Sequence, residues 1–221
     1  MTNEPMTKTD HQLPATASDA DPYCAYAQGA ASGSATFLKF VRGVYHFGAD
    51  DEEMAIRTRL VPNMAELTCG FIKWCDGKPE EHVMIRVADG EPPPKREDMG
   101  DTDETKWERG PNGELLDPWT PCHTLAFRDP GTGQEFTFTT SSRGGIGALG
   151  KLTSQWRWQS RNRPGKMPVI ELSTSSYRHK TYGEVHVPSF PIIDWMTEGD
   201  LMAGAAASDL HDDLNDDIPW N

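Results

Sequence analysis

Tyr177, Arg178, His179, Lys180 and Tyr182 fall within six residues of one another, in the stretch TSSYRHKTYGEVHV. Rings interleaved with cations suit a flexible polyanion that carries flat bases. Each base that stacks on a ring gains ~1–3 kcal/mol, and the cations neutralise phosphates. An ordinary polar hairpin tip, with its tyrosines covering a sheet edge, fits the same residues. Two other places repeat the combination: Lys73-Trp74 ends the run FIKW, and Trp158 lies in QWRWQSR. Lys73 shares a face with Phe71, while Trp74 shares one with Ile72 and is expected in the core if Ile72 is. At about 100° per residue, Trp158 sits between Lys151 and Arg161 on a helix, so it is a stacking platform or an anchor for a neighbouring subunit. Arg143 stands at a helix start, where a phosphate is well received.

Other chemistries find less support. Gly145 to Lys151 satisfies the phosphate-loop spacing G-x-x-x-x-G-K. The next residue should offer a hydroxyl to Mg²⁺, but it is Leu152, and Thr153 comes one residue late. The seven histidines are scattered, at 11, 46, 82, 123, 179, 186 and 211. Cysteines 24, 69, 75 and 122 lack C-x-x-C spacing, and Cys122-His123 has no second pair to complete a metal site. We therefore expect reduced thiols, no catalytic residue, no metal and no cofactor.

The elements that must position these residues follow from charge and period. The formal net charge is −13, but residues 141–187 carry +6, 89–117 carry −6 and 188–221 carry −8. A basic block inside an acidic chain says more about partners than the overall charge does. No apolar run reaches the roughly 20 residues of a membrane span, and the N-terminus has no apolar signal core, which predicts a cytoplasmic protein. Residues 1–34 are polar and small, a disordered arm by composition. TFLKFVRGVYHF reads as a strand, with Tyr45 facing either way, and TRLVPNM as a short one ended by Pro62. ELTCGFIKWCDGKPEEHVMIRVADG reads as a hairpin turning at Asp76-Gly77, and CHTLAFRDPGTGQEFTFTTSS as another turning at Asp129 to Gly133. Residues 89–117 form a polar, proline-rich insertion, read as a long surface loop holding Trp107. From Gly144 the period becomes helical: Ile146, Leu149, Leu152 and Trp156 make an apolar stripe, with Lys151, Arg157 and Arg161 opposite, and Pro164-Gly165 ends the helix. Two strands, PVIELSTSSY and GEVHVPSFPIIDW, complete the body at about residue 195. Three strands, a helix and two strands is the order of an OB-fold, a small Greek-key barrel, and predicts a mainly β domain over 35–195. An α+β sandwich is the alternative.

After Trp195 the pattern fades into an acidic stretch, 196–221, read as a disordered tail that ends DDLNDDIPWN. This ending resembles the C-terminal tip of bacterial and phage single-stranded DNA-binding proteins: a run of aspartates, Ile-Pro, then an aromatic. Asp216, Asp217, Ile218 and Pro219 match it directly. Trp220 stands where the family has Phe, and Asn221 follows it. The resemblance implies sequence-independent binding of single-stranded DNA. It also implies a tip that recruits replication, recombination and repair proteins, here of phage type. With it, the residues expected to bind nucleic acid are Arg143, Tyr177, Arg178, Lys180, Tyr182, Lys73, Trp74 and Trp158. A homo-oligomer is compatible with this set. The competing reading is an acidic inhibitor whose 89–117 surface mimics DNA and binds a host protein.

Overall fold

Gly70 allows two strands to come unusually close, because a Cβ there would run into the Val83 carbonyl. That contact joins β5 (Thr68–Cys75) to β6 (Lys78–Arg86), a hairpin whose turn residues Asp76 and Gly77 both have positive φ, 50° and 71°. Our computed structural model of the chain describes residues 36–111, 113–180 and 183–204. The N-terminal arm, Tyr182 and the Asp216–Trp220 tip therefore lie outside the described residues.

The fold is mainly β. Ten strands, twice the number in an OB-fold core, hydrogen-bond into one sheet that curls into half a barrel. Its centre is β9 (Trp119–Arg128), ten residues long. One edge of β9 pairs with β10 (Glu135–Thr140), and β1 (Thr36–Val41) lies parallel to β10. The other edge is shared: its first half pairs with β5, and its end with β4 (Arg59–Pro62). The sheet continues from β1 through β2 (Val44–Phe47) to β3 (Glu52–Met54). Beyond β4 come β11 (Lys166–Glu171) and β14 (Ile192–Thr197).

The run expected as one strand over 36–47 is two, because Arg42 and Gly43 both take positive φ, 51° and 96°, and turn the chain back. The last two expected strands are each split as well. Leu172 separates β11 from β12 (Ser173–His179), and Phe190 lies between β13 (Gly183–Ser189) and β14. β12 and β13 leave the main sheet as a separate two-stranded ribbon.

The helix α1 (Arg143–Ser160) falls between β10 and β11, as its period requires. Ser142 caps it, its hydroxyl accepting the Gly145 N–H at 3.0 Å. Its stripe packs into the core: Leu149 and Leu152 are buried with Leu38, Phe127, Phe138, Ile170 and Phe190, and Trp156 leans on the same cluster.

Order persists beyond residue 195. Residues 198–204 are helical, α2, and their start is capped reciprocally. The Thr197 N–H and hydroxyl both donate to the Asp200 carboxylate, and Asp200 N–H donates back to the hydroxyl. Leu201 is then buried beside Val61 and Val169. No described helix is long and apolar enough to cross a membrane.

Candidate functional site

The β12–β13 ribbon is rooted by three buried residues. Leu172 and Phe190 hold the points where the chain leaves and rejoins the sheet. Between them stands Tyr45, fully buried, whose hydroxyl donates to the Ser173 carbonyl at 2.7 Å and accepts the Ser189 N–H at 3.2 Å. Burial pushes the Tyr45 phenol pKa well up, so it stays a neutral donor. One phenol therefore ties the first residue of β12 to the last residue of β13.

Cross-strand partners share a face of the ribbon. Tyr177 opposes Val185 and Ser175 opposes Val187, so these four lie on one side. Arg178 opposes Glu184 and Ser176 opposes His186, on the other. Each side meets a different neighbour. Gly144 of α1 lies so close to Val187 that a Cβ would fall 2.6 Å from its Cγ1, and Gly43 lies close to the His186 ring. The start of α1 thus covers one face near the root, and the β1–β2 turn covers the other. Arg143 and Arg42 stand next to these two contacts, on opposite sides of the ribbon. Sequence reasoning found Arg143 and missed Arg42, although Arg-Gly between two β-branched runs is a turn signal.

Tyr177 is 52% exposed, and Arg42, Arg143, Arg178 and Lys180 are exposed. None of these cations forms an ion pair among the described residues. Glu184, opposite Arg178, accepts instead from the Ser176 hydroxyl at 2.8 Å.

Lys73 and Trp74 belong to a second place, a cleft of about 920 Å³ between the β5–β6 hairpin and the 89–117 insertion. Trp74 is 42% exposed and lines the cleft. Ile72 is itself only half-buried and joins no core cluster, so the face it shares with Trp74 does not lead into the core. The Lys73 ammonium is held by Glu80 at 3.1 Å and Asp101 at 3.3 Å, which raise its pKa.

The insertion is built around Asp101, not left as a bare loop. Asp101 takes a left-handed φ of 49°. Its carbonyl accepts from Trp107 Nε1 at 2.7 Å and from Arg96 at 3.2 Å. Its carboxylate accepts from Trp119 Nε1 at 3.0 Å, and the Trp119 and Lys73 contacts hold its pKa below the usual carboxylate range. Arg96 also binds Asp117 at 2.7 and 2.9 Å and lies 5.8 Å from the Trp107 ring centre. Two short 3-10 turns and the two-residue strands β7 (Glu108–Arg109) and β8 (Leu115–Leu116) complete the segment.

Trp158 is in neither place. It is 72% exposed on α1, beside Arg157 and Arg161 in a shallow groove. The glycines of the G-x-x-x-x-G-K run lie inside α1, not on a loop before it: the Gly145 N–H is taken by the Ser142 hydroxyl and Gly150 lies in the helix interior, so no phosphate cradle forms. Cys69 and Cys122 are buried free thiols with raised pKa values. His123 is held neutral by burial, and no described cluster of histidine, cysteine and carboxylates could hold a metal.

No family model, curated protein or solved structure matches this chain.

Proposed function

We propose that the protein binds single-stranded DNA, without sequence preference and without catalysis, through the β12–β13 ribbon and its two flanking arginines. The observation that carries this reading is the ribbon itself: an exposed tyrosine on the face beside Arg143, Arg178 on the face beside Arg42, and Lys180 at the tip, none of these cations neutralised by a described carboxylate. Phosphates would replace water at these cations, and a base would stack on Tyr177. Tyr182 would add a second ring. The ribbon would then do the work of the loop between the fourth and fifth strands of an OB-fold. The Asp216–Trp220 tip would recruit replication and recombination proteins, with Trp220 as its anchor, in the cytoplasm of a bacterial host carrying a phage.

Fluorescence anisotropy with labelled oligo-dT and a duplex of equal length, titrated with salt, tests this. Oligo-dT should bind more tightly than duplex. Its log affinity should fall against log salt with a slope of about −2 to −3, near −0.7 per neutralised phosphate. Equal affinity for the two, or no binding at low salt, overturns the reading and favours an acidic mimic of DNA.

A further inference from the structure

We propose that the Trp158 face of α1 on one molecule seats in the Trp74–Trp107 cleft of a second copy, head to tail. The inference goes beyond DNA binding and does not depend on it.

Trp158 is the most exposed large apolar residue among those described. It stands on the last turns of a regular 18-residue helix, with Arg157 and Arg161 beside it. An exposed indole on a regular helix is a frequent centre of an interface, since little side-chain freedom is lost when it docks. The two arginines make no ion pair among the described residues, so the face is cationic as well as apolar.

The cleft is its complement in shape, ring chemistry and charge. It is concave, about 920 Å³, and presents Trp74 and Trp107. Five carboxylates line it, and three cations balance part of that charge, Lys73 against Glu80 and Asp101, Lys106 against Asp103 and Arg96 against Asp117, which leaves an acidic surplus and Glu108 without an ion pair among the described residues. The cleft also displays the contact it would make with a partner: Arg96 lies 5.8 Å from the Trp107 ring centre and binds Asp117 through two hydrogen bonds. An incoming Arg157 or Arg161 would repeat that arrangement with Glu108, while Trp158 stacks on an exposed indole. A molecule does not fill its own cleft this way, because its Trp158 is 72% exposed. The two surfaces differ, so each added copy leaves one helix and one cleft open, and the assembly grows as a chain instead of closing as a two-fold dimer.

Sedimentation velocity of the full chain, without nucleic acid, is the test. At low salt the average mass should rise with concentration past that of a dimer, and added salt should reverse it. Trp158→Ala should weaken association ~10-fold or more. Arg157→Glu/Arg161→Glu and Glu80→Arg/Glu108→Arg should each be monomeric alone. Mixed together they should associate again, since the intact helix face meets the intact cleft and the two reversed surfaces carry opposite charge. Melting temperatures check that the charge variants are folded, and Trp74→Ala, at an exposed position, is an independent cleft variant expected to match Trp158→Ala. A wild-type chain that stays monomeric at low salt, a Trp158→Ala protein that associates normally, or charge variants that fail to pair on mixing would each overturn the proposal.

Discussion

Two regions of this molecule are rich in cations and use them in opposite ways. In the segment from Lys73 to Asp117, four of the seven cations, Lys73, Arg86, Arg96 and Lys106, are held by an aspartate or glutamate, while Lys78, Lys95 and Arg109 form no ion pair among the described residues. From Arg143 to Lys180, the exposed residues Arg143, Lys151, Arg157, Arg161, Arg178 and Lys180 meet no carboxylate among the described residues. The first set is spent on architecture: Arg96 and Lys73 organise an acidic loop around Asp101. The second is left in water, where a cation costs little and stays available to a partner. A net charge of −13 hides this division. What a protein offers to an anion is set by which cations lack internal partners, not by their total.

The two regions are also anchored differently. The insertion is held by many side-chain contacts, whereas at the ribbon's root one buried side chain, the Tyr45 phenol, joins the backbone hydrogen bonds of Leu172 with Arg57 and Thr58. Tyr45→Phe should therefore have the largest effect. It leaves the Ser173 carbonyl and Ser189 N–H without their buried partner, and chemical denaturation should find a loss of ~1–3 kcal/mol. Hydrogen exchange at Ser189 should quicken, while the insertion stays protected. A loss within a few tenths of a kcal/mol would mean that the ribbon is rooted by Leu172 and Phe190 alone.

The sharper test of the charge comparison is the salt slope of oligo-dT binding. Arg178→Ala/Lys180→Ala should flatten it by about 1.4, two phosphates at ~0.7 each. Lys73→Ala/Arg96→Ala removes the same charge from paired sites and should leave the slope unchanged. Equal flattening by both pairs breaks the comparison.

The smallest effect is on pH. Contacts from Trp119 and Lys73 depress the Asp101 pKa. A depressed carboxylate stabilises the fold above its unfolded value of about 3.9, and that contribution is lost as pH falls through the lower folded value. The melting temperature should drop over that acid range with a change in tryptophan emission from Trp107 and Trp119. Asp101→Asn should shrink the pH-dependent part of both signals. An unchanged acid limb in that variant would assign the effect to the other depressed carboxylates, Asp51, Asp103 and Asp200.

Local signals were readable in the sequence and long-range ones were not. The stripe of α1 follows from its period, and the β5–β6 turn from Asp76-Gly77, because both depend on neighbours in the chain. Trp74 was misplaced because its burial was tied to that of Ile72, and this end of β5 runs past the core clusters into the wall of the cleft, which only the fold reveals. The insertion reads as a loop because its organising contacts, such as Arg96 with Asp117 and Asp101 with Trp119, join residues about twenty positions apart. The T-x-x-D cap at Thr197–Asp200 was legible, but it was masked by the acidic character of everything after it. For the ribbon, the basic and aromatic residues were visible as a set, while their division between two faces and the presence of Arg42 required the register and the fold.

The departure of the chain at Leu172 and its return at Phe190 make residues 173–189 an interchangeable cassette. Both ends are fixed by the core, and the length between them is not. Adding one residue to each strand would turn every side chain beyond the insertion to the opposite face, but adding two to each would restore it. Lengthening in such steps would carry the cationic tip outward by one side-chain repeat, about 7 Å, without disturbing the core. The reach of the ribbon is thus adjustable in fixed increments, with its root left unchanged.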